Sequence, residues 1–188
     1  KFVDCFLENN SEIEEQLCRQ MGRPISQCSG EMNGFEERAR YMIDKSEHAL
    51  EKIISKKDDE FDNFITKDPL GAIFIIAPWN YPYNTSVNSI VPSLLSGNTV
   101  ILKHSSQTPL CAEQLFKAAG LSGIPDGVFQ FLHLDHQSTS KIISDQRIDH
   151  VLFTGSVSGG RQIKKAIGER FINAGLELLT WSQNYNSL

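Results

Sequence analysis

The stretch from Pro69 to Ser106 constrains the fold more than any other part of the chain. It contains an apolar run, Ala72–Ala77, and a second, mostly apolar run, Thr99–Lys103, that finishes on a charge. Apolar runs without alternation are typical of strands buried on both faces, as in a parallel sheet. The segment between them, Val87–Leu95, has the composition of a helix, and Gly97 follows it as a helix terminus. The stretch therefore predicts a βαβ unit with polar residues at the carboxyl ends of both strands, the edge at which open parallel sheets bind ligands.

Strands and helices continue to alternate after this unit. Strands are predicted at Val128–Leu132, Asp149–Phe153 and Leu176–Leu179, and helices at Thr108–Ala119, His136–Ser144 and Ser156–Arg170. Thr108 is expected to cap its helix, with Gly120 as the terminator. This order predicts an α/β fold with a doubly wound, mostly parallel, Rossmann-like sheet. The predicted division is an N-terminal helical segment (1–60) packing on the core, an α/β domain (61–180) and an unrelated tail (181–188).

Local signals divide the N-terminal segment. Ser11 and Glu14 form a capping-box pattern, and Gly22-Arg23-Pro24 is expected to end the helix that they begin. A second helix is predicted over Gly30–Ser55. Its apolar stripe consists of Phe35, Ala39, Met42, Ile43, Leu50, Ile53 and Ile54. The charge run Lys56–Glu60 is typical of a solvated turn, and Phe61–Lys67 of a short strand.

Charge and composition argue against two classes of function. The 188-residue chain has a formal net charge of −5 and no Lys/Arg cluster, so a nucleic-acid surface is not expected. Its apolar runs are far shorter than the ~20 residues that span a bilayer, so membrane insertion is not expected either. The four cysteines have no paired spacing. This favours the cytoplasm or another reducing compartment, with mitochondria as an alternative, over a disulfide framework.

Several motifs resemble those of the NAD(P)-dependent aldehyde dehydrogenase superfamily. In chain order they are Ala77–Asn80, Ser96–Lys103, Gln107–Pro109, Gly123–Val128, Phe153–Ser156 and Gly175–Leu178. Motifs of this length and order are far more specific than a lone short motif. The resemblance covers about residues 12–178 of this chain and the middle of the family's fold.

The resemblance implies residues for aldehyde oxidation. In the family a thiolate attacks the aldehyde, donors stabilise the oxyanion, hydride passes to the nicotinamide, and a base activates water to release the acid. Asn80 matches the residue whose amide donates to the oxyanion, although an Asn also satisfies turns. Glu177 matches the general base, and burial in an apolar strand would raise the pKa of its carboxyl. The alternative is that Glu177 is an outward-pointing strand residue.

The resemblance also implies a site for NAD or NADP. Pro78 and Trp79 belong to it, and Lys103 matches the lysine that hydrogen-bonds the adenosine ribose. The alternative for Lys103 is a strand-end lysine reaching for water. Ser106 lies where many members carry Glu. Because a Ser does not repel a 2′-phosphate, NADP is expected to be tolerated.

A strand-to-helix turn completes this expected cofactor site. Gly155, Ser156 and Gly160 match the turn whose N–H groups and helix dipole bind the pyrophosphate in the family. Gly159 stands where the family has an aliphatic residue that packs on the adenine. The segment His133–Gln137 replaces a glycine-bearing loop. Weak cofactor binding is therefore expected.

The family pattern breaks after Glu177. The family continues with Gly-Gly and a domain that carries the nucleophilic cysteine, whereas Leu179-Thr180 and then Trp181–Leu188 follow here. No cysteine matches the nucleophile, so the sequence leaves open whether this chain is an enzyme. It is expected to be an aldehyde dehydrogenase fragment that is inactive alone, acting on an aldehyde only within a longer product. The alternative is a pseudoenzyme, a structural or partner-binding subunit.

Two smaller expectations concern partners and metals. Apolar strands left without their neighbours predict self-association or a protein partner. His133 and His136 have ligand-like spacing, but Asp135 is the one further candidate beside them. A zinc site needs three or four ligands, so no metal is expected.

Overall fold

The computed structural model describes residues 1–57 and 61–179. The N-terminal segment contains helices α1 (Phe2–Leu7), α2 (Asn10–Met21) and α3 (Ser29–Leu50), then strands β1 (Ile53–Lys57) and β2 (Asp62–Ile65). Strands and helices then alternate: β3 (Ala72–Ile76), α4 (Pro82–Leu95), β4 (Thr99–Lys103), α5 (Leu110–Ser122), β5 (Phe129–Phe131), α6 (His136–Ser144), β6 (His150–Ser156), α7 (Val157–Ile167) and β7 (Ala174–Leu179). Within the described ranges, no helix is long and apolar enough to cross a bilayer.

The strands β3 to β7 form one parallel sheet in the order β5-β4-β3-β6-β7. Strand β3 pairs with β4 from Ala72 opposite Thr99 onward, and with β6 from Ile73 opposite His150 onward. The chain therefore builds outward from β3 on one side and then returns to the other side of β3. The reversal places the topological switch point between β3 and β6, where open parallel sheets form their ligand crevice.

Side chains of β3 alternate between two cores. Ile73 and Ile75 belong to a core that also contains residues of α1 to α5. Phe74 and Ile76 face the opposite side, with Ile143 of α6 and Ile163 of α7. Because both faces of the strand are covered by helices, it has no polar face, as its continuous apolar run predicted. The doubly wound parallel fold is confirmed.

The second N-terminal helix is shorter than predicted. Helix α3 ends at Leu50, and Ile53 and Ile54 belong to β1, which pairs antiparallel with β2. These two isoleucines are 50% and 69% exposed, so they extend no buried helical stripe. β-branched residues favour a strand once the chain becomes extended, as it does at Glu51. The expected strand within Phe61–Lys67 is present as β2.

The hairpin also affects the predicted division at residue 60. The segment assigned as helical contains β1, whose partner β2 lies on the other side of that boundary. Lys56 and Lys57 belong to β1 and not to a turn. Asp58–Glu60, the rest of the expected turn, lie outside the described residues, as does the predicted tail 181–188.

The ends of three predicted helices differ from the structure. Asn9, not Ser11, is the N-cap of α2, and it makes no side-chain cap bond. Pro109, not Thr108, precedes α5, which continues past Gly120 to Ser122. Gly123, with φ of +82°, follows as its C-cap. Helix α7 ends at Ile167, and Ser156 lies before it as a true N-cap. Sequence patterns mark such ends only to within a turn, because several polar residues near each end compete for the capping position.

Candidate cofactor-binding site

A cleft of about 960 Å³ lies at the carboxyl edge of the sheet, beside the switch point. The loop after β3, the end of β4, and the helices α6 and α7 surround it. Six of the predicted site residues line it: Pro78, Trp79, Asn80, Lys103, Gly155 and Ser156. No Asp or Glu belongs to its described lining. The topology therefore brings together residues from three strands in a site without a negative side chain.

Lys103 is the cation of this cleft. It ends β4 and is 7% exposed, although its ammonium group carries a charge. Burial lowers the pKa of Lys103, and no carboxylate of the described residues opposes that effect. A buried cation without a counterion is costly unless an anion binds to it. Lys103 is the one Lys or Arg side chain in the described lining of the cleft.

His104 lies directly after Lys103 and is also buried. Within the described residues, neither ring nitrogen has a hydrogen-bond partner. Burial lowers the pKa of His104 to about 3, and the positive charges of Lys103 and His133 act in the same direction. His104 is therefore neutral at ordinary pH and adds no charge to the cleft.

The turn from β6 into α7 is closely packed. Ser156 Oγ accepts a hydrogen bond from Gly159 N at 3.1 Å, and the Oγ atoms of Ser156 and Ser158 lie 3.0 Å apart. A β-carbon on Gly155 would lie 2.6 Å from Cζ of Phe153. The ring of Phe153 thus covers part of the turn. One of the N–H groups in the first turn of α7, that of Gly159, is already bonded to the N-cap side chain.

The two candidate catalytic residues lie in different surroundings. Asn80 lines the cleft, and its main-chain oxygen accepts a hydrogen bond from Arg23 Nη2 at 2.7 Å. Glu177 lies on β7 opposite Thr154 of β6, and its Oε2 accepts a hydrogen bond from Thr154 Oγ1 at 3.2 Å. The expectation that Glu177 is buried is wrong, because its side chain is exposed.

Two predicted cofactor residues lie outside the cleft lining. Ser106 is exposed, and its neighbour Ser105 lines the cleft instead. Gly160 is buried where a β-carbon would lie 2.5 Å from Cδ2 of Leu178. This glycine allows α7 to approach β7. Cofactor contacts from Ser106 and Gly160 stay predictions.

The family of this chain is decided by a comparison with known families. The model of the aldehyde dehydrogenase family matches residues 1–183. The chain belongs to the aldehyde dehydrogenase family. An aldehyde dehydrogenase of Paenarthrobacter nicotinovorans is 30% identical over 95% of this chain and 40% of its own length. The succinate semialdehyde dehydrogenase [NAD(P)+] Sad of Escherichia coli is 33% identical over 90% of this chain and 36% of its own length.

Solved structures of family members agree with the fold. The succinic semialdehyde dehydrogenase of Streptococcus pyogenes, solved in complex with NADP+, superposes with a TM-score of 0.87 at 26% identity. The match covers 94% of this chain and 39% of that chain. This aldehyde dehydrogenase family chain thus spans about two fifths of the length of the relatives it matches.

None of the four cysteines lies in the cleft lining. Cys5 and Cys18 belong to α1 and α2, and Cys28 precedes α3. Cys111 is buried in α5, and burial raises the pKa of its thiol to about 12. Burial also raises the pKa of Cys28. A nucleophilic cysteine needs a thiolate, which burial in apolar surroundings disfavours.

The two candidate metal ligands point to different surroundings. His133 Nε2 lies 2.9 Å from Glu113 Oε1, whereas His136 lines the cleft. Among the residues described, no group of three or more His, Cys, Asp or Glu side chains could hold an ion.

Sequence reasoning missed several residues that shape the site. Ser140 and Gln162 line the cleft from the two helices beside it, and no motif marked them. His136 also lines it, although the sequence had marked this residue only as a candidate metal ligand and as part of a replaced loop. Sequence reasoning also missed Arg23, which bonds to the main chain of Asn80, and Glu31, which bonds to the start of α4. A signal for Glu31 was present, since it lies four residues before the core residue Phe35 on one helix face.

Proposed function

We propose that the cleft binds a nicotinamide dinucleotide, NAD or NADP, as part of an NAD(P)-dependent oxidation of an aldehyde to a carboxylic acid. The observation that carries the proposal is Lys103, a buried cation in a cleft with no carboxylate in its described lining. A dinucleotide supplies the missing negative charge through its phosphates. When bound, the cofactor accepts the hydride in such a reaction.

The chemistry of the lining supports this ligand. Lys103 Nζ would donate to an adenosine ribose or a phosphate oxygen, and the Ser158 hydroxyl offers a further donor at the start of α7. Apolar side chains of Ile76, Ile163 and Phe153 provide surface for a flat ring system. Small-molecule sites combine apolar walls with a few polar groups in this way. Because no carboxylate repels a 2′-phosphate, we expect NADP to bind at least as well as NAD.

Two features limit the affinity in this proposal. The cap formed by Ser156 uses Gly159 N, and Phe153 covers the turn. A pyrophosphate would have to take the place of Ser156 Oγ as the acceptor for Gly159 N, or displace the ring of Phe153. Losing a few contacts of about 1 kcal/mol each moves the dissociation constant toward the millimolar range.

The catalytic part of the proposal assigns two roles. The Asn80 amide would donate to an oxyanion, and Glu177, held by Thr154, would take a proton from water. The attacking thiolate has no counterpart, since Cys111 is buried with a pKa of about 12 and does not line the cleft. We therefore propose that aldehyde oxidation requires a nucleophile beyond this chain, and that the chain alone is inactive.

A second candidate is a non-catalytic subunit that binds a protein partner. The placement of all four cysteines away from the cleft favours it. The two candidates share the dinucleotide site and differ in whether a longer product completes it. Intact mass of the native protein distinguishes them, because a longer product would exceed 21.1 kDa. All four cysteines are free in the structure, which supports a reducing compartment for either candidate.

The experiment that tests the cofactor site is calorimetric titration with NADP+ and NAD+. Wild type should show weak binding, and Lys103→Ala should lower the affinity by about 10-fold or more, since a charge-assisted hydrogen bond contributes ~1.5–3 kcal/mol. Lys117→Ala is the matched control, because Lys117 is half exposed beside Glu12 and lies outside the cleft lining. Micromolar binding that is indifferent to Lys103 would show that the ligand binds elsewhere.

A further inference from the structure

A buried carboxylate in the first turn of α3 is hydrogen-bonded to the start of α4, directly after the loop that follows β3. The side chain of Glu31 is fully buried. Its Oε1 accepts hydrogen bonds from Tyr83 N at 2.9 Å and Asn84 N at 3.2 Å. These are two of the first N–H groups of α4, which have no partner within their own helix. Glu31 therefore caps α4 from a different helix.

Arg23 links the same carboxylate to Asn80. Its Nη1 donates to Glu31 Oε2, and its Nη2 donates to the main-chain oxygen of Asn80 at 2.7 Å. The guanidinium carbon also lies 4.9 Å from the ring centroid of Tyr81. One rigid, planar group thus spans the carboxylate and the loop, a geometry that the single donor point of a lysine does not reproduce.

The side chain of Asn80 has little else to hold it. Asn80 Oδ1 is buried and makes no hydrogen bond within the described residues. The position of its amide in the cleft is consequently set by the backbone of the loop. That backbone is tied to Arg23 on one side and to the start of α4 on the other.

We propose that Arg23 and Glu31 are positioning residues that fix Asn80 in the cleft. The proposal rests on the role given to Asn80 above, but its structural content does not depend on catalysis. Neither residue lines the cleft. They act on the site through the loop backbone, and the N-terminal helical segment thereby becomes part of the site's construction.

Single substitutions of this pair are poor tests, because they leave a buried charge without its partner. The double variant Arg23→Met with Glu31→Gln removes both charges together. Its glutamine oxygen can still accept from Tyr83 N and Asn84 N, while the bond to the Asn80 oxygen is lost. The matched control is Arg19→Met with Glu15→Gln, which neutralises an exposed Arg–Glu pair on α2.

The measurement is the ¹H–¹⁵N spectrum of the full chain, read together with amide hydrogen exchange. The double variant is expected to shift and broaden the backbone and side-chain amide signals of Asn80. Protection at Tyr83 and Asn84 should be retained. The control should leave all of these signals in place. Unchanged Asn80 signals in the folded double variant would overturn the proposal.

Arg23→Lys provides a second test that keeps the charge balance of Glu31. A lysine lacks the planar, two-pronged guanidinium that bonds to both Glu31 Oε2 and the main-chain oxygen of Asn80. The Asn80 signals should therefore move while the chain stays folded. If the double variant does not fold, this variant decides, and unmoved Asn80 signals overturn the proposal. Dinucleotide titrations of wild type are recorded in parallel. Failure of wild type to bind would overturn the proposed function and leave the Asn80 signals as a separate result.

Discussion

The ring of Phe153 packs directly against Gly159, where a β-carbon would lie 2.7 Å from Cζ of that ring. This approach is closer than two carbon atoms allow, so the ring position depends on the absence of a side chain at Gly159. The resemblance of the surrounding motif to the family implies an aliphatic residue at this place. In this chain the aromatic ring fills space beside the turn that an aliphatic side chain would take.

We expect Gly159→Ala to destabilise the chain by about 1–3 kcal/mol, the usual cost of overpacking, despite the better helix propensity of alanine. Phe153→Leu in the same chain should recover most of that loss. Urea unfolding measures both effects. Gly120→Ala in α5 is the control, since a β-carbon there meets no atom within 4 Å. A Gly159→Ala variant as stable as Gly120→Ala would show that the ring moves freely.

The chain alone is expected to produce no reduced cofactor when mixed with NAD(P)+ and aldehydes. With a pKa of about 12, the thiol of Cys111 is almost entirely protonated near neutral pH. Absorbance of reduced nicotinamide measures the reaction. Cys111→Ser should behave like wild type in this assay. Turnover that disappears in Cys111→Ser would show that the buried thiol is a working nucleophile.

Stability is expected to fall between pH 6.5 and pH 3 because of His104. Its folded pKa is about 3, while the unfolded value is near 6.5. In this window the unfolded chain binds a proton that the folded chain does not, so acid favours unfolding. The contribution between pH 7 and 4.5 is about 2–3 kcal/mol.

Urea unfolding at the two pH values tests this expectation. His104→Leu should show a smaller pH dependence than wild type, since the replacement is apolar and does not titrate. His48→Leu, at an exposed position, should keep the wild-type dependence. Equal pH dependences for wild type and His104→Leu would show that His104 is hydrated in solution.

Self-association through the hairpin β1–β2 is expected at micromolar concentration. Ile54 and Phe64 face each other in register and are 69% and 53% exposed. Exposed apolar groups on a two-stranded sheet favour contact with another chain. Ile54→Lys with Phe64→Glu keeps the net charge and should shift the chain toward a 21.1 kDa monomer in sedimentation velocity.

The control for this hairpin variant is Tyr41→Lys with Leu121→Glu. These two residues lie on helices, and their exposed fractions are 64% and 61%. This control should associate like wild type. A wild-type chain that sediments as one monomer and binds no dye for apolar surfaces would contradict the expectation.

The sheet could be predicted because each of its central strands carries one simple signal. Ala72–Ala77 is apolar throughout, and Thr99–Lys103 has three consecutive apolar residues before its terminal lysine. Such runs are typical of strands covered on both faces. The hairpin was harder, because Ile53 and Ile54 continue the apolar spacing of α3 by coincidence. Periodicity alone does not distinguish a short apolar extension of a helix from the start of a strand.

The site could be predicted only where a residue lies within a recognisable motif. Asn80 and Lys103 lie in motifs and in the cleft, as expected. The support of Asn80 by Arg23 could not be predicted, since it joins residues 57 positions apart in the sequence. A buried charge pair needs a partner in space, and a single sequence does not say which of many charges meet.

The position of the cleft at the switch point has a consequence for the order of assembly. Strand β4 follows β3 after one helix, whereas Ala72 in β3 bonds to Asp149, which lies 77 residues away. Closing so long a loop is slow, so the β3–β6 seam should form late in folding. A ligand that needs both sides of that seam would then slow unfolding without speeding folding. The ligand would then lengthen the lifetime of the folded chain, which unfolding kinetics measure.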